Sequence, residues 1–149
     1  MRKIFGTADS WSLLILRLAV GIVIFPHGAQ KLFGWFGGNG FVGTLGFFTN
    51  KMHIPTFFAL LAILAEGLGS MGLIVGLLTR VAAFGVLCNM IVAVAMVHWP
   101  HGFFMNWMGK QKGEGFEYHL LVIGICLALM ISGGGKWSVD RGIVRGQKD

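Results

Sequence analysis

Four apolar runs dominate the chain, each near the roughly 20 residues that a helix needs to cross a bilayer. They extend from about Trp11 to Gln30, from Pro55 to Leu78, from just after Thr79-Arg80 to His98-Trp99-Pro100, and from Phe116 to Ser132. Hydrocarbon offers no partner to a backbone N–H or C=O, so such runs must be helical if they span. Of the residues, 55% are hydrophobic and 12% are charged, the latter about half the share usual in a soluble domain. That balance excludes a disordered chain, a nucleic-acid-binding arm and an ordinary soluble enzyme. Residues 1–149 read as one all-α integral membrane domain, a four-transmembrane-helix bundle.

The boundaries carry local signals. Asp9 or Ser10 stands as the N-cap of the first run, which lacks a small-residue cleavage site and is read as a retained span. Pro26 is expected to bend its far end and free the carbonyl of Ile22. Pro55 suits a first helical turn. The fourth run is the shortest and stops at Gly133-Gly134-Gly135, so it should stand upright or lie inside the bundle. Between helices 1 and 2, Lys31–Ile54 is rich in Gly and Phe and too broken to span; an interfacial or re-entrant outer segment is expected. The connection Pro100–Gly115 carries Phe103, Phe104, Met105 and Trp107, which suit either an anchor or a lid. Gly72-xxx-Gly76, with Ala82, Ala83 and Gly85, marks helix contacts.

Four spans place both termini on one side. That side carries Arg2, Lys3, Arg80, Lys136, Arg141, Arg145 and Lys148, seven cations against four (Lys31, Lys51, Lys110 and Lys112) on the other. The positive-inside rule then puts both termini in the cytoplasm. The net charge of +6 reads as charge flanking membrane spans, with lipid as the partner and no nucleic acid. Trp11 and Trp137 fall at the inner boundary, and Trp35, Trp99 and Trp107 at the outer.

Ionisable residues inside the spans are functional candidates, because burying them in hydrocarbon is expensive. Arg17 lies about 12 Å from the inner end of span 1, and Glu66 about 21 Å from that side in span 2. An Arg17–Glu66 ion pair would face a mismatch of about 9 Å, with the two side chains leaning apart. His27 and Glu66 lean toward each other, so that pair is geometrically easier. His27 and Lys31 share a face at i, i+4; His98 ends span 3; Glu117, Tyr118 and His119 open span 4. With Glu66, these groups are expected to line an outer-half cavity that suits the two ends of a quinone headgroup or a proton path to it. Glu66 and His27 are the expected proton carriers, and His98, Glu117, Lys31 and Tyr118 the expected headgroup ligands. Arg17 and Arg80 are expected to act structurally or electrostatically. A haem between His27 and His98 or His119 would sit too near the surface. A metal site is not expected either, since His27, His98, Glu117 and His119 lack an i, i+3 or i, i+4 ligand pair. Cys88 and Cys126 lie in apolar runs and form no CxxC, so they read as packing.

Arg17, then His27-Gly28-xx-Lys31, then Glu66 before a glycine-rich run and Gly76-Leu77-Leu78-Thr79-Arg80, resemble the DoxX family of small four-span bacterial membrane proteins. The ending Gly133-Gly134-Gly135-Lys136-Trp137-Ser138-Val139-Asp140 is similar to that family's closing signature, and the resemblance covers nearly the whole chain. It implies an inner-membrane, multi-pass oxidoreductase component, related to subunits of thiosulfate:quinone oxidoreductase and often acting beside a redox partner protein. Quinone is the cofactor this implies. A non-catalytic accessory or anchoring subunit of a membrane redox complex, docking a partner through the glycine faces and the aromatic outer loops, and a small lipid or metabolite carrier are the other readings, with a homo-oligomer as a further partner state.

Overall fold

The computed structural model describes residues 2–146. The side chains of Arg2 and Lys3 and the whole of Lys148, counted above among the terminal-side charges, lie outside the described residues. The described chain is helical with no strand: α1 (Arg2–Phe5), α2 (Trp11–Phe33), α3 (Gly40–Gly46), α4 (Thr56–Val75), α5 (Thr79–Ala93), α6 (Glu117–Ser132) and α7 (Val139–Arg145). Three helical runs are long and apolar enough to cross a membrane: α2, α4, and α5 with its continuation to His101. The fourth apolar helix, α6, has 16 residues and reaches about 24 Å at 1.5 Å per residue.

Ser10 caps α2, its Oγ accepting from the Leu13 N–H at 3.4 Å. The helix runs on through Pro26 and closes at Gly34, whose φ of 74° suits a glycine C-cap. Leu13, Arg17, Val20, Ile24 and Gly28 are among its buried positions, three or four residues apart and so on one face. α2 packs on α4, α4 on α5, α5 on α6, and α6 returns to α2. Their shared core holds Val20, Ile24, Leu73, Val86, Met90, Val122, Cys126 and Leu129. Cys126 is fully buried there and Cys88 packs against the same cluster, both as free thiols. Ile15, Ile22, Leu68, Leu121 and Ile131 point outward and are exposed, as on a bundle whose outer surface faces lipid tails.

At Gly28, α2 and α4 touch backbone to backbone: a Cβ there would lie 2.4 Å from the Glu66 carbonyl oxygen. Only glycine permits that approach, and it sets the depth of Glu66 against α2.

The two ends of the bundle differ. One gathers the described termini, with the Ala8 N–H on the Ser132 carbonyl (3.0 Å) and the Lys136 N–H on the Ser10 carbonyl (3.1 Å). The other carries the two long connections. The first folds into a 3-10 turn (Trp35–Gly37), α3 and a π-helical turn (Phe47–Lys51), with α3 packed against α2 and α4. Trp35, Phe36, Phe41, Val42 and Phe47 remain exposed on it.

Candidate functional site

Buried polar residues form two separate groups, one at each end. At the terminal end, Arg17 is 1% exposed. Its guanidinium donates to five carbonyls: Gly134 (3.0 Å), Leu73 (2.7 Å), Ile74 (2.5 Å), Lys136 (3.5 Å) and Trp137 (3.4 Å). Helix C-termini leave carbonyls without intrahelical donors, and Arg17 supplies them at the end of α4 and in the glycine loop after α6. Asp140 does the converse at the start of α5, accepting from the backbone N–H of Leu78 (2.7 Å) and Thr79 (2.8 Å). Arg80 donates to the carbonyls of Gly6, Met130 and Ile131, joining the N-terminal segment to the last turn of α6. Gly76, with φ of 74°, completes the joint; a Cβ there would lie 2.5 Å from the Ser138 Cβ and 3.0 Å from the Arg17 Cζ.

Outside the spans, Asp9 pairs with Arg141 and stands 3.7 Å from the Lys136 Nζ. The hydrogen bond from Arg141 holds the Asp9 carboxyl below its ordinary value, and the same bond raises the Arg141 guanidinium.

At the opposite end a cavity of about 460 Å³ opens between the helices. Its polar lining comes from every main helix: His27 and Lys31 of α2, Glu66 of α4, His98 at the end of the α5 run, and Tyr118 and His119 of α6, with Glu114 from the connection. Val23, Ile24, Met90 and Ala93 form its apolar wall. Glu66 is 8% exposed and accepts from the Lys31 Nζ. Asn89 donates to the Ala62 carbonyl at 2.7 Å and approaches the second Glu66 oxygen at 3.4 Å.

The expected pairings of Glu66 are thus corrected: its cation is Lys31, neither Arg17 nor His27. Arg17 lies against Leu73 and Ile74, about two helical turns, or about 11 Å, along α4 from Glu66. Lys31 is one turn beyond His27, and helical side chains lean toward the N-terminus, so its long chain reaches back to Glu66. His27 itself is exposed along the side of α2 while lining the cavity.

The His98 and His119 rings lie 4.1 Å apart between centroids, tilted at 43°. The His98 Nδ1 meets the Glu114 carbonyl at 2.8 Å; a carbonyl only accepts, so Nδ1 carries a proton there. His119 is 6% exposed, and its Nδ1 makes no hydrogen bond within the described protein, nor does the buried Oη of Tyr118. Buried polar groups are normally paired, so two unpaired ones beside a cavity fit a polar ligand or water there.

Glu117, expected among the cavity ligands, lies apart from them. Its Oε1 accepts from the Met105 N–H (2.9 Å) and the Trp107 Nε1–H (3.3 Å), tying down the connection. Glu114 and Asn89 are the cavity-side residues that sequence reasoning missed. Asn89 had a usable signal, an amide inside an apolar run, where a polar side chain needs a partner. Glu114 sits among other loop residues, without any such contrast.

This is a helical membrane protein with a main-chain-bound polar clamp at one end and a polar cavity at the other. Residues 12–99 match the DoxX family, and the chain belongs to that family. It is 30% identical over 136 residues to a Bacillus subtilis protein named "Putative oxidoreductase CatD", an alignment covering 91% of this chain and 90% of that one. It is 32% identical over 139 residues to a Mycobacterium tuberculosis protein named "Uncharacterized membrane protein Rv3486", covering 87% and 80% of the two. No solved structure matches the chain.

Proposed function

We propose that this chain is a quinone-linked oxidoreductase component of the bacterial inner membrane. In this reading α6 is the fourth span, both described ends face the cytoplasm, and the cavity opens in the outer leaflet. Support for the orientation comes from Arg80, Lys136, Arg141 and Arg145 at the terminal end, joined in sequence by Arg2, Lys3 and Lys148. In this reading the 24 Å helix α6 spans together with the glycine loop behind it, whose Gly134, Lys136 and Trp137 carbonyls accept from Arg17.

The observation that carries the function is the pair of unsatisfied buried groups, His119 Nδ1 and Tyr118 Oη, beside the Lys31–Glu66 pair in one cavity. When bound, a quinone exchanges two electrons and two protons between its carbonyl and hydroxyl forms, with the electrons passed to or from a redox partner protein. Tyr118 and Lys31 would offer hydrogen-bond donors to the headgroup, and His119 with His98 would form a second polar wall. Glu66 holds or releases a proton beside Lys31, and exposed His27 connects the pair to the cavity mouth. Apolar Val23, Ile24, Met90 and Ala93 exclude water from the ring.

The test is binding of a short-chain quinone or quinol to the reconstituted protein. Glu66→Gln and His27→Ala are expected to weaken it, Glu66→Gln by about tenfold or more for loss of a charge-assisted partner. Unchanged binding in both variants would overturn this site assignment.

A further inference from the structure

A second cavity, also of about 460 Å³, lies at the opposite, terminal end of the molecule. Asp9, Trp11, Lys136, Trp137, Arg141 and Arg145 line it. We propose that it is a binding site for the phosphate headgroup of an anionic phospholipid at the membrane surface, with no part in the chemistry of the first cavity.

Three observations support a lipid ligand. The charge is unbalanced: three cations face one carboxylate, and that carboxylate is already engaged by the Arg141 guanidinium. Arg145 forms no ion pair among the described residues, and Lys136 approaches Asp9 only at 3.7 Å. The Lys136 Nζ is instead held 4.6 Å from the centroid of the Trp11 ring, so its charge stays within the cavity. The aromatic lining also has the character of a membrane boundary. Trp11 and Trp137 pack edge to face at 4.9 Å, yet are 49% and 77% exposed. Tryptophan concentrates where headgroups meet hydrocarbon. Finally, Trp11 is the first residue of membrane-length α2, so the cavity begins where that helix enters the apolar layer. A phosphate could rest between Lys136 and Arg145 while its acyl chains run down the exposed outer face of α2.

Basic residues next to a membrane surface favour anionic lipid by roughly a factor of five each. Free phosphate would meet the same cations but would gain nothing from the tryptophans or the adjoining apolar helix. The experiment is lipid retention by native mass spectrometry, after the full chain is exchanged into mixed phosphatidylglycerol and phosphatidylcholine micelles. The wild type is expected to retain phosphatidylglycerol over phosphatidylcholine by about tenfold. Lys136→Gln/Arg145→Gln should reduce that preference to near parity, whereas Lys110→Gln/Lys112→Gln, which removes equal charge at the other end, should leave it. Millimolar inorganic phosphate should not displace the lipid. Equal retention of both lipids by the wild type, equal loss in the two double variants, or displacement by phosphate would each overturn the proposal. Both variants change exposed or half-exposed side chains outside the Arg17 clamp, and a thermal-unfolding curve matching wild type verifies that they fold.

Discussion

Arg17 and Glu66 are both ionisable groups inside the bundle, 1% and 8% exposed, but their partners differ in kind. Arg17 is surrounded by backbone carbonyls from α4 and the closing glycine loop. Glu66 meets side chains: Lys31, and Asn89 at the edge of hydrogen-bond distance. Backbone partners are fixed by the fold, so the terminal end is a joint in which Arg17 and Asp140 are held by main-chain groups, and the buried Thr79 Oγ1 is its one unpaired side-chain atom among the described residues. Side-chain partners can exchange protons and reorient, and at the Glu66 end two further polar atoms remain unpaired. The comparison teaches that burial of a charge does not by itself mark chemistry; the identity and saturation of its partners does.

Substitutions that remove the joint should have the largest effect. Arg17→Met leaves five carbonyls without their donor and should cost about 3–5 kcal/mol, read as loss of folded protein in detergent-based thermal unfolding. Gly28→Val comes next: its Cβ would lie 2.4 Å from the Glu66 carbonyl, so α2 and α4 must separate, at about 2–3 kcal/mol. Asp140→Asn keeps shape but removes charge from the two N–H bonds that open α5, and should cost about 1–2 kcal/mol. On the cavity side, Tyr118→Phe should leave the unfolding temperature within about 1 °C, because its Oη has no protein partner to lose. A drop as large as that for Asp140→Asn would erase the contrast between the ends.

The smallest effect belongs to the exposed Asp9–Arg141 pair. The Asp9 carboxyl is held below its ordinary 3.8 by the bond from Arg141. Its contribution is therefore fully present above that ordinary value and is lost as pH falls through the lowered one. Wild type and Asp9→Asn should differ slightly at pH 6 and converge only as pH falls through the lowered Asp9 value in thermal unfolding.

Much of the architecture was legible because membrane-length apolar runs and their caps are local signals. Ser10, one of the two expected caps, and the stop at Gly133 sit where the sequence placed them, while the α4–α5 break falls at Gly76–Leu78, a few residues earlier than the expected boundary at Leu78–Arg80. Two local expectations were less complete. The π-helical and 3-10 turns after Phe47, Val94 and Trp99 have no clear residue pattern. Pro26 lies within α2, which runs on to Phe33. In the cavity, residue types and depths were readable, so His27, Lys31, Glu66, His98, Tyr118 and His119 could be grouped. Rotation about each helix axis was not. That rotation turns Glu117 toward the connection and His119 toward the cavity, although they are only two residues apart. The sequence left Glu66 to Arg17 or His27; that Lys31 is its partner follows from the depth set by the close approach at Gly28, a property of the α2–α4 crossing.

The most direct test of the central contrast is calorimetric binding of a short-chain quinol to wild type and to Ala93→Phe, a change that fills the apolar wall of the cavity. The wild type should bind saturably, and Ala93→Phe should lose binding while unfolding at the wild-type temperature. No binding to the wild type, or undiminished binding to a folded Ala93→Phe variant, would contradict the account.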